Sequence, residues 1–322
     1  MTSADSKPAG TEEVGRVVRS SEETRAWRAS TAFLLLRGLR PRQWTKNLLV
    51  FMAPAAAGVL GHWHVTVRVI GAFAVFCLVA SGTYLVNDVV DAAADRHHPL
   101  KRHRPVASGA LQPALAVGTG LALVALAIAG ALVIGPWGFA LIIIAYVAVN
   151  AAYTVRLKEE PVIELAVVAS CYVLRAVAGG VVAHVPLSNW FLLFTSFAAL
   201  FVVTGKRYAE HARLGHDRGV HRPVLDEYTD SFLRSTLILS ATVTVASYCL
   251  WAFDRTGLLS HAGHHVVWVE LTVIPAVLAV LHILRLLDAG KGGEPEHLAL
   301  HDHVLQGYAL GWLALMAIGL YA

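Results

Sequence analysis

The sequence predicts an all-α protein, a polytopic membrane bundle of nine transmembrane helices. Three observations predict it. Of the 322 residues, 56% are hydrophobic and 15% charged, with a mean hydropathy of +0.58, whereas a soluble globular chain carries about 25% charged residues. Apolar runs near the length that crosses a bilayer, about 20 residues, recur along the chain. Lys and Arg gather in alternate connections between those runs, as the positive-inside rule requires.

Residues 1–30 are polar and charged, with Asp5, Lys7, Glu12, Glu13, Glu22 and Glu23, and precede any apolar run. They are expected to form a disordered cytoplasmic tail without a cleavable signal peptide. Residues 31–322 are then one membrane domain. Its spans are read at 47–61, 66–88, 111–133, 137–154, 162–184, 188–206, 232–253, 266–287 and 303–322. The first is short and open to tilting or a re-entrant path. With the N-terminus cytoplasmic, the inside segments are 1–46, 89–110, 155–161, 207–231 and 288–302. The outside loops fall near 62–65, 134–136, 185–187 and 254–265, and Arg255 is their one Lys or Arg. The C-terminus is therefore expected outside. Outside turns are tight, as at Gly135-Pro136 and Val185-Pro186, and inside loops are longer and polar. One elaborate face suits an enzyme with a water-soluble substrate better than a transporter, which needs access from both sides.

Cys77, Cys171 and Cys249 sit inside apolar runs without CxxC spacing, so they read as small packing residues. The histidines His62, His64, His261, His264 and His265 fall on outside loops and His297, His301 and His303 flank the last inside loop. No acidic cluster accompanies them, and they read as surface residues. Gly179-Gly180 and Ser81-Gly82 read as points of close helix approach.

The densest chemistry lies at Asn87-Asp88-Val89-Val90-Asp91-Ala92-Ala93-Ala94-Asp95, after some twenty apolar residues. On a helix, Asp88, Asp91 and Asp95 stand at i, i+3 and i+7, directions that span about 60°. Asn87 lies about 40° beyond Asp91, on the same face. Carboxylates this crowded repel one another unless a cation sits among them, and hard oxygens suit Mg²⁺ shared with substrate phosphates. Carboxylates at this depth point to function. A basic stretch follows, with Arg96, Lys101, Arg102 and Arg104 before Pro105. Guanidinium forks grip phosphates in pairs of hydrogen bonds. Acids followed by bases make a site for Mg²⁺ and diphosphate.

The Asp-rich run resembles that of the UbiA superfamily of intramembrane prenyltransferases. Further segments carry the likeness: Leu39-Arg40-Pro41-Arg42-Gln43-Trp44-Thr45-Lys46-Asn47, Lys101 to Pro105, Tyr153 to Lys158, Pro161 to Glu164, Leu174 to Gly180, and Gly205-Lys206-Arg207-Tyr208-Ala209-Glu210. Together, from about Arg37 onward, they resemble the branch of that superfamily that moves phosphoribose onto a lipid phosphate. That resemblance implies a Mg²⁺-dependent glycosyltransferase. The donor would be phosphoribosyl pyrophosphate (PRPP) and the acceptor a polyprenyl (decaprenyl) monophosphate in the bilayer. Diphosphate would be released, and the product would be a precursor of cell-wall arabinan. Within the superfamily the alternative is a prenyl diphosphate donor with an aromatic or lipid acceptor.

Under this resemblance Asp88, Asp91 and Asp95 hold the metal. Gln43, Lys46, Asn47, Asn87, Arg96, Lys101, Arg102, Arg104, Tyr153, Arg156, Lys158, Glu164, Lys206, Arg207, Tyr208 and Glu210 are expected to bind substrate. Glu210 and Asp226 are candidates for a second metal or a ribose hydroxyl, although Asp217, Asp226 and Asp230 lack the spacing of a second Asp-rich motif. Glu164 and Arg175 stand eleven residues apart, roughly 16 Å along a helix, too far to pair. Arg175 reads as a buried cation bonded to carbonyls. Homo-oligomerisation is left open, and no feature calls for nucleic acid.

Overall fold

The computed structural model describes residues 30–98, 101–214, 223–260, 267–290, 298 and 301–321. The expected disordered tail, His261, His264, His265, His297 and Asp217 lie outside the described residues. The elements are α1 (Thr31–Leu39), a 3₁₀ segment (Pro41–Phe51), α2 (Met52–Ala56), α3 (Trp63–Val90) and α4 (Ala92–His97). They continue with α5 (Pro113–Ile134), α6 (Trp137–Val155), α7 (Ile163–Ala183), α8 (Asn189–Leu214), α9 (Asp230–Ser260), α10 (Val267–Leu271), α11 (Val273–Asp288) and α12 (His303–Tyr321). Short 3₁₀ turns stand at Lys101–His103, Leu157–Glu159 and Pro223–Leu225. Among the described residues, eight helical stretches are long and apolar enough to cross a membrane: α3, α5, α6, α7, α8, α9, α10 with α11, and α12.

The expected span at 47–61 has a different form. Buried Asn47, Val50 and Ala53 stand three residues apart, the period of a 3₁₀ helix rather than an α-helix, and Pro54 beside them is buried as well. Only Met52–Ala56 is α-helical, and the chain then turns at Gly58, whose φ is +74°. Eleven residues of 3₁₀ are far more than the usual three or four.

The chain divides into two compact units. One comprises residues up to 43 together with 80–123, and the other 44–79 together with 124–322. In the first, Leu34, Leu85, Val106, Leu111 and Ala116 form the core. The Ser81 hydroxyl donates to the Leu39 carbonyl at 3.0 Å. A Cβ on Gly120 would lie 2.8 Å from the Gly82 carbonyl oxygen, so α3 and α5 approach backbone to backbone, as small residues allow.

In the second unit, Phe76, Phe139, Ile143, Tyr146 and Val182 anchor one core cluster. Leu165, Phe201, Leu225, Leu233 and Leu237 anchor another. The 3₁₀ segment lies directly on α7: a Cβ on Gly179 would stand 1.8 Å from the Val50 carbonyl oxygen. Arg175 is buried on the same helix. It donates to the Asn47 side chain at 2.8 Å, the Cys171 carbonyl at 2.5 Å and the Tyr146 hydroxyl at 2.9 Å. The Phe76 and Tyr146 rings lie within cation–π reach. Each of these contacts is one that a cation in an apolar bundle needs in place of water.

Candidate active site

The helix carrying the acids continues past its apolar length. Asp91 donates its amide to the Asn87 carbonyl at 2.9 Å, and Asp95 donates to Asp91 at 2.8 Å. The i−4 pattern therefore persists through the turn at Asp91, and the acids keep the spacing expected of one helical face. Asp88 and Asp95 are buried, while Asp91 is half-buried.

Two arginines neutralise the buried pair. Arg104 Nη1 stands 2.6 Å from Asp95 Oδ2 and 3.3 Å from Asp88 Oδ1. The Arg40 guanidinium also pairs with Asp88 Oδ1 and lies 5.0 Å from the Tyr84 ring centroid. The backbone at Arg104 is fixed by its surroundings. Its amide donates to the Lys101 carbonyl, Pro105 and Val106 behind it are buried, and the Arg96 Nε donates to the Ala107 carbonyl at 3.3 Å. Arg40 closes α1 in the left-handed region, φ 53° and ψ 60°. The following Pro41 bars it from continuing the helix. Arg40 is the residue that sequence reasoning missed. The signal was present in the Arg-Pro pair, which ends a helix and turns the arginine out of it.

Among the described residues, no three Asp, Glu, His or Cys side chains form a ready-made metal cage. The donor set nonetheless fits a hard divalent cation. Oxygens of Asp88 and Asp95 already meet on one cationic nitrogen, and Asp91, in the turn between α3 and α4, adds a third carboxylate.

The second unit carries a separate charged cluster. Glu164 is fully buried at the start of α7, with both oxygens engaged by Arg207 of α8, Oε1 to Nε at 2.7 Å and Oε2 to Nη2 at 2.8 Å. Arg207 Nη1 reaches Glu210 at 2.9 Å. Glu164 enters the helix from a strained turn: Val162 has φ +65° and ψ −47°. The Ile163 amide donates back to the Pro161 carbonyl at 2.7 Å, which makes this a γ-turn of the rare positive-φ kind. The Val162 amide is held by the Tyr228 hydroxyl at 2.9 Å, and the Tyr228 carbonyl meets His211 Nε2 at 3.0 Å.

The other expected site residues are distributed as follows. Asn47 is buried, between Arg175 and the Cys77 sulfur, in the interior network rather than at a mouth. Gln43, Lys46, Asn87, Lys101, Tyr153, Lys158, Lys206 and Glu210 are half-buried. Arg96, Arg102, Arg156 and Asp226 are exposed, and Arg156 stands 3.6 Å from Glu160. Tyr208 is buried and accepts from Arg234 at 3.1 Å. Glu164 and Arg175 make no pair with each other; each has the partners given above.

A cavity of about 340 Å³ lies in the second unit, lined by residues that include Phe51, Phe194, Trp251, Trp312 and Met316. Its polar atoms are spent on one another. The Trp312 indole donates to the Tyr248 hydroxyl at 2.6 Å, which meets the Thr272 hydroxyl at 2.6 Å. The remaining wall is hydrocarbon and aromatic.

Residues 48–319 match the model of the UbiA prenyltransferase family. The chain belongs to the UbiA prenyltransferase family. It is 44% identical over 284 residues to the decaprenyl-phosphate phosphoribosyltransferase of Mycobacterium tuberculosis H37Rv, covering 87% of this chain and 92% of that one. It is 42% identical over 294 residues to the protein of the same name from Corynebacterium glutamicum, covering 89% and 86%. Among solved structures, a UbiA homolog from Archaeoglobus fulgidus bound to GPP and Mg²⁺ superposes with a TM-score of 0.64 at 18% identity, covering 89% of this chain and 98% of that one. At that identity the superposition establishes a shared UbiA fold.

Proposed function

We propose that this protein transfers the 5-phosphoribosyl group of PRPP to a polyprenyl phosphate such as decaprenyl phosphate and releases diphosphate. The observation that carries the reading is the 44% identity, over nearly the full length of both chains, to a relative named for that activity. The acidic run supports it, because three carboxylates with arginines beside them suit a metal-bound diphosphate.

A phosphate oxyanion is nucleophilic at neutral pH, so the reaction needs no activated serine, cysteine or general base. The acceptor oxygen forms a bond to the anomeric carbon as the bond from that carbon to the diphosphate oxygen breaks. The electron pair leaves with diphosphate and the configuration inverts. Asp88, Asp91 and Asp95 would hold a Mg²⁺, which would supply charge neutralisation for the departing diphosphate. Lys101, Arg102 and Arg104 supply donors to phosphate oxygens beside the acids. Lys46, Tyr153, Lys158 and Lys206 are assigned to the ribose 5-phosphate and the acceptor phosphate. Glu164, fully buried with both oxygens on Arg207, orients that guanidinium. The apolar, aromatic-lined cavity takes part of the prenyl chain.

In the bilayer we place the protein in the plasma membrane, with the N-terminus and the acidic run cytoplasmic. With the irregular segment 41–56 as a ninth crossing, the C-terminus lies outside. The test is donor choice: the purified chain in detergent with Mg²⁺, decaprenyl phosphate and either labelled PRPP or a labelled prenyl diphosphate. Label from PRPP in the lipid phase, in the β configuration, supports the reading. Transfer from the prenyl diphosphate alone assigns the protein to the prenyl-donor reaction of its superfamily.

A further inference from the structure

We propose that Arg40 and Arg104 are exchangeable counter-ions. They neutralise Asp88 and Asp95 until a divalent cation carrying diphosphate takes their place, and they then turn to the phosphate oxygens. The inference rests on the reading of the acidic run as a metal–diphosphate site.

Burial carries it first. The side chains of Asp88 and Asp95 are 2% and 5% exposed, whereas those of Arg40 and Arg104 are 28% and 26% exposed. The arginines stand on the accessible side of the pair, so an arriving cation meets them before it meets the carboxylates. Asp88 Oδ1 accepts from both arginines, and Arg104 Nη1 bridges Asp88 to Asp95. The bridging nitrogen is where a cation shared by the two acids belongs. Mg²⁺ holds its oxygens at roughly 2.1 Å, closer than either contact to that nitrogen, so metal and guanidinium exclude each other.

Charge carries it next. Two guanidiniums and one divalent cation both bring +2 to the same carboxylates, so the exchange leaves the buried charge balanced. A metal arriving alone would leave the two arginines without a carboxylate partner at the pair, with solvent and, for Arg40, the Tyr84 ring in its place. A metal arriving with diphosphate brings their new partners, and forked donors suit phosphate oxygens. Both arginines have anchored backbones, Arg40 at the α1 terminus and Arg104 beside buried Pro105, so the exchange needs side-chain rotation only. Metal and diphosphate therefore bind cooperatively, and coupling of this kind is typically about 5- to 150-fold.

The experiment measures two affinities on the full-length protein in detergent. Mn²⁺ alone is followed by electron paramagnetic resonance, and PRPP with saturating Mg²⁺ by calorimetry. Wild type is expected to bind Mn²⁺ alone weakly and Mg²⁺–PRPP well. Arg104→Gln is expected to bind Mn²⁺ alone about tenfold or more tightly than wild type, and Mg²⁺–PRPP about tenfold or more weakly. Arg40→Gln, which leaves the Arg104 bridge in place, moves both affinities the same ways and serves if Arg104→Gln is not recovered folded. Opposite signs separate exchange from a merely structural role, which would weaken both. If wild type binds Mg²⁺–PRPP but neither variant gains affinity for Mn²⁺ alone, the exchange is overturned. If wild type binds no Mg²⁺–PRPP, the metal–diphosphate reading itself fails, and the exchange with it.

Discussion

Replacing Glu164 by Leu removes the carboxylate that holds Arg207 while leaving a side chain of similar volume. The Glu164 side chain is fully buried and that of Arg207 is 5% exposed. Their two contacts, 2.7 and 2.8 Å, form a forked pair. In Glu164→Leu the guanidinium stays in the interior with Glu210 as the carboxylate still beside it. Removing one partner of a buried pair costs about 3–5 kcal/mol, most of it the penalty of the charge left behind. Glu210, 20% exposed, offsets part of that, so we expect a loss near the lower end, about 3 kcal/mol. The double variant Glu164→Leu/Arg207→Met removes both charges and fills the space with hydrocarbon, which is often neutral. It should therefore be more stable than Glu164→Leu alone. Denaturant unfolding of wild type, Glu164→Leu, Arg207→Met and the double variant in one detergent measures the cycle. A Glu164→Leu protein within about 0.5 kcal/mol of wild type, or a double variant no better than the single, would refute the reasoning.

Three further outcomes follow from local geometry. Gly179→Ala drives a methyl into the Val50 carbonyl, so the 3₁₀ segment must shift. We expect a loss of at least about 1–3 kcal/mol, read as a lower melting temperature, with little change for Gly118→Ala, where a Cβ meets nothing within 4 Å. Val162→Gly relieves a β-branched residue at φ +65°; strain of this kind stores about 1–3 kcal/mol, so the variant should melt no lower than wild type despite the added freedom of its unfolded chain. Asp302 caps α12 through the Leu305 amide at 2.8 Å and meets His282 at 3.1 Å, and these two partners hold its carboxyl below the ordinary carboxylate range. A lowered folded value means the stabilisation is present above the unfolded value, about pH 4, and is lost as pH falls through the lowered one. The melting-temperature gap between wild type and Asp302→Ala should be full at neutral pH and close below about pH 4.

The parts legible in the sequence were those set by composition and short spacing. The eight long helices follow from apolar length, and the acidic face follows from 3.6-residue periodicity across Asp88, Asp91 and Asp95. The helical rise also showed that Glu164 and Arg175 could not meet. The illegible parts depend on partners far apart along the chain. Arg207 lies 43 residues from Glu164, and Arg175 lies 128 from Asn47, separations that no periodicity encodes. Asn47 illustrates the error that results. Read as α-helical it belongs with Gln43 and Lys46 at the membrane mouth; the period-three stripe with Val50 and Ala53 turns it inward to Arg175. That stripe was visible in the sequence, but the glycine that accepts it, Gly179, is on another helix. The Asp-rich run led to the expectation of a cation site without showing that two arginines of the chain already pair with its acids.

Transfer of phosphoribose from PRPP to a lipid phosphate at the acidic run is the proposed activity. The most direct measurement follows label from PRPP into decaprenyl phosphate, with the purified protein with and without Mg²⁺, beside Asp88→Asn. We expect Mg²⁺-dependent incorporation by wild type, reduced by about 10²-fold or more in Asp88→Asn. Incorporation undiminished in Asp88→Asn, or absent from the folded wild type with Mg²⁺ present, would contradict it.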